Sequence, residues 1–175
     1  VLDPDPNNQA AALATLDVNA TSGTGTIEVT DIGDGDPAAG VTGLTRLGNA
    51  TTGTLTLDGT NYDFGGGFTL GSATYTLSGS TGSFATSGDV RFLGNVVVDG
   101  TFSVDSGGGD ITIDGNITGT DGDEIVTLTD GTGGDGTGTI TIGGTIGNTA
   151  GSTSNIKSVT LTGDTGISLG GDITT

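Results

Sequence analysis

The sequence predicts an all-β fold, a parallel β-helix or β-solenoid of about seven three-strand coils. Composition is the first observation behind that expectation. The 175 residues include 37 Gly and 35 Thr. Glycine costs about 1 kcal/mol per helical position, and threonine is stiffened by β-branching. Threonine, valine and isoleucine suit pleated strands instead. The second observation is a seven-residue pattern: apolar, any, apolar, any, Gly, any, apolar. It occurs five times, at Val90–Val96, Val96–Phe102, Ile111–Ile117, Ile140–Ile146 and Ile167–Ile173. Independent placement of the residues would yield about 0.5 occurrences. The third observation is that the remaining spacings vary only at certain corners, as solenoids allow.

The elements follow in chain order. Residues 1–12 read as an extended N-terminal arm, because Asp3-Pro-Asp-Pro6 cannot pair as a central strand. Helix is confined to at most one turn around Ala10–Leu16. Residues 13–175 form the solenoid, with strand positions A, B and C in each coil. In the first half, C falls at Leu16–Val18, A at Ile27–Val29 and B near Ile32. Next come C at Leu44, A at Leu55–Leu57, B near Asn61 and C at Phe68–Leu70. Tyr75–Leu77 is a further A and Phe84 a further C.

The second half carries the repeat signature. A falls at Val90, Ile111, Ile140 and Ile167, B at Val96, Ile117, Ile146 and Ile173, and C at Phe102, Val126 and Val159. Two apolar residues two apart face the same side of a strand. The glycine after them is expected to supply the positive φ of a tight corner. Gly94, Gly115, Gly144 and Gly171 hold equivalent corners. Ile111, Ile113, Ile140, Ile142, Ile167 and Leu169 are expected to be buried and stacked. A longer echo, Val41-Thr-Gly-Leu-Thr-Arg-Leu-Gly-Asn49 against Ile156-Lys-Ser-Val-Thr-Leu-Thr-Gly-Asp164, is expected to mark equivalent positions.

Charge excludes several functions. The net charge is −18, and Arg46, Arg91 and Lys157 are the only basic residues. Such a chain repels phosphate, so nucleic acid and anionic membranes are excluded as partners. No apolar run approaches the length of a membrane span, so no membrane insertion is expected. Nineteen of the 21 acids are Asp, a residue whose short side chain bonds the backbone of turns. High charge with few large apolar residues also fits disorder. The inward spacing of the apolar residues decides for a folded chain.

No His or Cys is present, so the usual general base and thiolate nucleophile are missing and no enzyme is expected. No organic cofactor is implied. Two acidic clusters are candidate calcium ligands: Asp121, Asp123 and Glu124, and Asp31, Asp34 and Asp36. Hard oxygen donors suit Ca²⁺. Neither cluster matches an EF-hand loop, and the plainer reading is solvated turn acids. Asn19, Asn49 and Asn116 head formal glycosylation sequons, which a threonine-rich chain also produces by accident. Thr-x-Thr steps recur at 54/56, 74/76, 127/129, 139/141 and 160/162. They fall on different strands of the expected register, so no single flat threonine array of the ice-binding kind is expected.

Runs such as Ser158-Val-Thr-Leu-Thr-Gly-Asp-Thr-Gly-Ile-Ser-Leu-Gly-Gly-Asp-Ile-Thr-Thr175 resemble the repeats of filamentous-haemagglutinin-like adhesins and autotransporter passengers. The likeness is one of repeat style and spans residues 13–175. It implies a right-handed β-helix, secretion to the bacterial cell surface, and a role in adhesion, biofilm or surface fibres. The first residue is Val1 and the chain has no Met, which fits a processed chain or a segment of a longer one. The repeat runs to the last residue, and Ile167, Leu169 and Ile173 belong to a coil that no cap covers. Bare solenoid ends expose strand edges. The expected partner is therefore self, head to tail, or a continuation of the chain, in an extracellular structural fibre. The alternative is an adhesin shaft whose loops at 33–43, 130–138 and 147–155 recognise host or glycan. Sugar sites favour an aromatic platform, and Tyr62 and Tyr75 are the only tyrosines.

Overall fold

A computed structural model describes residues 16–18, 26–29, 41, 43, 45–48, 54–57, 62–64, 67–71, 74–78, 82–86, 88–131, 137–148 and 155–175. The expected arm at 1–12, Asp31, Asp34 and Asp36, and residues 10–15 of the expected helical turn lie outside the described residues. The regular elements among the described residues are strands: β1 (Leu16–Val18), β2 (Thr26–Val29), β3 (Thr45–Gly48), β4 (Thr54–Leu57), β5 (Tyr62–Phe64), β6 (Phe68–Gly71), β7 (Thr74–Ser78), β8 (Gly82–Thr86) and β9 (Val90–Phe92). They continue as β10 (Asn95–Asp99), β11 (Thr101–Asp105), β12 (Ile111–Ile113), β13 (Ile117–Gly119), β14 (Ile125–Thr129), β15 (Thr139–Ile142), β16 (Ser158–Thr162) and β17 (Gly166–Leu169).

These strands form three parallel sheets. The first runs β1-β3-β6-β9-β12-β15-β17, the second β2-β4-β7-β10-β13, and the third β5-β8-β11-β14-β16. Isolated parallel bridges Ile117↔Ile146 and Ile146↔Ile173 extend the second sheet by two positions. From β3 to β14 the chain visits the first, second and third sheets in strict rotation. Parallel neighbours and rotation among three sheets are consistent with a β-solenoid.

The register has a simple cause. Each strand alternates inward and outward side chains, so stacked strands build continuous columns. In the first sheet Phe68, Val90, Ile111, Ile140 and Ile167 form one column, and Leu47, Leu70, Phe92, Ile113, Ile142 and Leu169 the next. Phe102, Val126 and Val159 align in the third sheet. The A, B and C positions expected from Val90 onward are therefore the first, second and third sheets. Four phenylalanines and a tyrosine fill the middle of the core. Tyr62 stacks on Phe84 at 5.1 Å between ring centroids, and Phe92 meets Phe102 edge-on at 5.5 Å. Such ring pairs add to the value of burying their area.

The first half is shifted by one sheet. Leu16–Val18 and Phe68–Leu70 lie in the first sheet rather than at C, and Ile27, Leu55 and Tyr75 lie in the second rather than at A. Tyr62, next to the expected B at Asn61, belongs to the third, while Phe84 holds the expected third-sheet position. An apolar-x-apolar pair has the same inward alternation on any of the three sheets. Without the seven-residue signature, nothing local tells one sheet from another. The echo fails for the same reason: Thr45–Gly48 is in the first sheet and Ser158–Thr162 in the third.

The corner glycines also need correction. Among the described residues, positive φ belongs to Gly48, Gly67, Gly100, Gly107, Gly108, Gly122, Gly131 and Gly147. Gly94, Gly115, Gly144 and Gly171 do not have it. At three of these corners close approach to the neighbouring coil excludes a side chain. A Cβ at Gly115 would lie 2.6 Å from Asn95 Oδ1, and one at Gly171 would lie 2.8 Å from Thr145 Cγ2. A Cβ at Gly144 would fall directly on Asn116 Oδ1 and 2.8 Å from the Gly115 carbonyl oxygen. The threonine pairs behave differently again. Thr54/Thr56 and Thr74/Thr76 share register in the second sheet, and Thr127/Thr129 and Thr160/Thr162 in the third. These are two separate two-strand patches, not one array.

Candidate functional site

Among the described residues, three features have chemistry beyond packing: an acidic loop, two side-chain ladders, and the last-strand edge.

The acidic loop joins β13 to β14. One carboxylate oxygen from each of Asp121, Asp123 and Glu124 lies within 4.8 Å of the others. The two aspartates are exposed, whereas Glu124 is fully buried. Its Oε1 accepts from the Thr120 amide, from Thr120 Oγ1 at 3.0 Å and from the Asp121 amide at 2.8 Å. Its Oε2 accepts from the Gly122 amide at 3.0 Å. Burial alone would raise the Glu124 pKa, but the amides of Asp121, Glu124 itself and Thr120 outweigh it and hold the value down to about 2. The Asp121 carboxyl shifts the other way, first because a hydrogen bond to the Asp123 side chain favours its protonated form.

This geometry makes Glu124 a loop anchor. Four N–H and O–H donors already point at its two oxygens, and their dipoles oppose a cation. Gly119 is small for the same purpose, since a Cβ there would sit 2.5 Å from Glu124 Oε2. The sequence-derived calcium set is thus brought together in space, with its buried member committed to the backbone.

The ladders run along two corners. At the corner between the first and second sheets, Asn95 Oδ1 accepts from the Asn116 amide at 2.9 Å. Asn116 Oδ1 then accepts from the Thr145 amide at 2.8 Å and from Thr145 Oγ1 at 3.2 Å. At the corner leading into the first sheet, Asp89 Oδ1 accepts from the Asp110 amide at 3.0 Å. Asp110 Oδ1 accepts from Thr139 N at 2.9 Å and from Thr139 Oγ1 at 2.8 Å. Each acceptor bonds the following coil, so the ladders satisfy corner amides that the sheets leave out. Asn116, a sequon asparagine, is committed to its ladder. Asp130 is buried and tied to the next coil through the Asp164 amide at 2.7 Å, while its Oδ1 has no partner.

The last feature is the edge formed by β17 and the bridge at Ile173. Ile140 and Ile142 are fully covered, yet Ile167 and Leu169, one strand further in the same columns, are 44% and 39% exposed. Ile146 is 1% exposed and its neighbour Ile173 is 43%. Burial was expected of Ile167 and Leu169. They face inward, but no strand among the described residues covers them. Val18, on β1 at the opposite edge of the first sheet, is 40% exposed.

Comparison of the chain with protein-family models, curated proteins and solved structures finds no match.

Sequence reasoning located the acidic loop and the three edge residues. It missed the ladders, although Asn or Asp just before an inward apolar residue recurs at Asp89, Asn95, Asp110 and Asn116. Tyr62, one of only two tyrosines, offers no aromatic platform for a sugar. The ring is 1% exposed, and its hydroxyl donates to the Val29 carbonyl oxygen at 3.3 Å.

Proposed function

We propose that this chain is an extracellular structural protein, a segment or subunit of a bacterial surface fibre built end to end. The proposed body is a right-handed β-helix of about seven three-strand coils. One observation carries the reading: among the described residues, four of the five exposed large apolar residues lie at the outermost strands of the stacked sheets, Ile125 on β14 being the fifth. Val18, Ile125, Ile167, Leu169 and Ile173 are the exposed large hydrophobics among the described residues. Val18 is on the first strand of the first sheet, Ile167 and Leu169 are on its last, and Ile173 ends the second sheet. Full burial of such a side chain is worth about 1.5–3 kcal/mol, so covering the exposed part of each contributes roughly 1 kcal/mol.

Edges of this type recruit further strands unless charge, proline or a cap blocks them. The lateral surface is acidic and resists side-to-side association, which leaves the axial direction. A head-to-tail contact that does not close gives a filament. The repeat style shared with filamentous-haemagglutinin-like proteins supports secretion and a surface location. The lack of His and Cys supports a non-catalytic role. The adhesin alternative is weakened by the burial of Tyr62, and most of its candidate loops lie outside the described residues.

The test is the assembly state of the 175-residue chain. Sedimentation over a concentration series should show association, and electron microscopy should show rods with an axial repeat of about 34 Å, from seven layers at about 4.8 Å. Ile167→Asp with Ile173→Asp should return the chain to monomer. A wild-type chain that stays monomeric at all concentrations refutes the reading.

A further inference from the structure

We infer that the end-to-end contact is an in-register parallel addition, in which Asp172 of one copy accepts the Thr26 backbone N–H of the next. The inference rests on the fibre reading above and specifies its partner and geometry.

The corner ladder between the first and second sheets supplies the argument. The residue just before the first inward side chain of each second-sheet position forms a column. Thr26, Thr54, Thr74 and Asn95 are paired along it, and Asn116, Thr145 and Asp172 occupy the same place before Ile117, Ile146 and Ile173. In this column Asn95 and Asn116 each use a side-chain oxygen to accept the backbone N–H of the next coil. Asp172 is the last member among the described residues. It is exposed, and its carboxylate has no partner among the described residues. It offers an acceptor at the same corner, and no N–H of the described residues meets it.

The opposite end begins with the matching element. Thr26 opens β2, the outermost strand of the second sheet. Ile27 stands in the same apolar column as Ile173, and Val18 in the same column as Leu169. Every pairing in the first sheet is parallel, so a translated copy brings β1 alongside β17 in the same direction. In that register Val18 covers Leu169 and Asp17 lies beside Ser168. The Thr26 amide then lies over Asp172. Asparagine serves in this role twice within the chain, so the function needs an acceptor oxygen and not a charge.

Two measurements test this. Asp172→Asn should assemble as wild type does, whereas Asp172→Ala should weaken association about tenfold or more, the range for losing a hydrogen bond to a charged group. Removing a negative charge would by itself favour association, so a loss points to the hydrogen bond. The register is read separately. The chain has no cysteine, so Asp17→Cys with Ser168→Cys should give disulfide-linked ladders on oxidation, and Glu28→Cys with Ser168→Cys should not. Assembly unaffected by Asp172→Ala, or ladders absent from the first pair while filaments persist, overturns the inference and leaves the fibre reading standing. A wild-type chain that never associates overturns both.

Discussion

One added methyl group at Gly144 should destabilise the protein severely, although φ at this residue is not in the left-handed region. The Cβ would fall on Asn116 Oδ1 and lie 2.8 Å from the Gly115 carbonyl oxygen. Asn116 can move, but its Oδ1 holds the Thr145 amide and hydroxyl. Losing two such bonds costs about 1 kcal/mol each. The clash with the Gly115 backbone remains, and overpacking of that kind costs about 1–3 kcal/mol. Reduced freedom of the unfolded chain returns about 0.5–1 kcal/mol. The net loss is about 2–4 kcal/mol, a large share of the roughly 5–15 kcal/mol of a typical domain. Gly166 is the control, because a Cβ there meets nothing within 4 Å and φ is not positive. Urea unfolding of Gly144→Ala and Gly166→Ala, followed by circular dichroism, gives the comparison. In an Asn116→Ala background, which already lacks those two bonds, Gly144→Ala should cost less than it does in the wild type, since only the backbone contact then remains. If Gly144→Ala unfolds at the same urea concentration as Gly166→Ala, the close-approach argument is wrong.

Two further outcomes are expected. Glu124→Gln should lose about 1–3 kcal/mol near neutral pH, because the amide group places N–H donors against the donors that surround the carboxylate. The folded-state pKa of Glu124 is depressed, from 4.5 to about 2, so its contribution is full above about pH 4.5 and is lost as pH falls through about 2. Melts of wild type and Glu124→Gln should therefore converge on acidification between those values, and a constant gap would contradict the assignment. Thr45→Val should raise stability by about 1–2 kcal/mol, because Thr45 is fully buried and its Oγ1 has no hydrogen-bond partner. A lowered melting temperature would show that the hydroxyl is satisfied.

The sequence by itself determined an all-β chain of parallel strands and half of the register. Inward alternation at Ile111/Ile113, Ile140/Ile142 and Ile167/Leu169 is local, because a strand's side chains point to opposite faces in turn. The Asn/Asp-rich corners and the acidic loop at 121–124 were legible too, since those residue types mark turns. Only the tertiary structure decided which sheet each strand of the first half joins, because strand alternation is the same on all three. It also decided the role of the corner glycines. Their local φ is ordinary, and what excludes a side chain at Gly115, Gly144 and Gly171 is the neighbouring coil, 27 to 29 residues away in the later pairs and 21 in the earlier ladder. Glu124 shows the same division. Its charge can be read from the sequence, but its function as a buried anchor comes from amides that only the folded loop gathers around it.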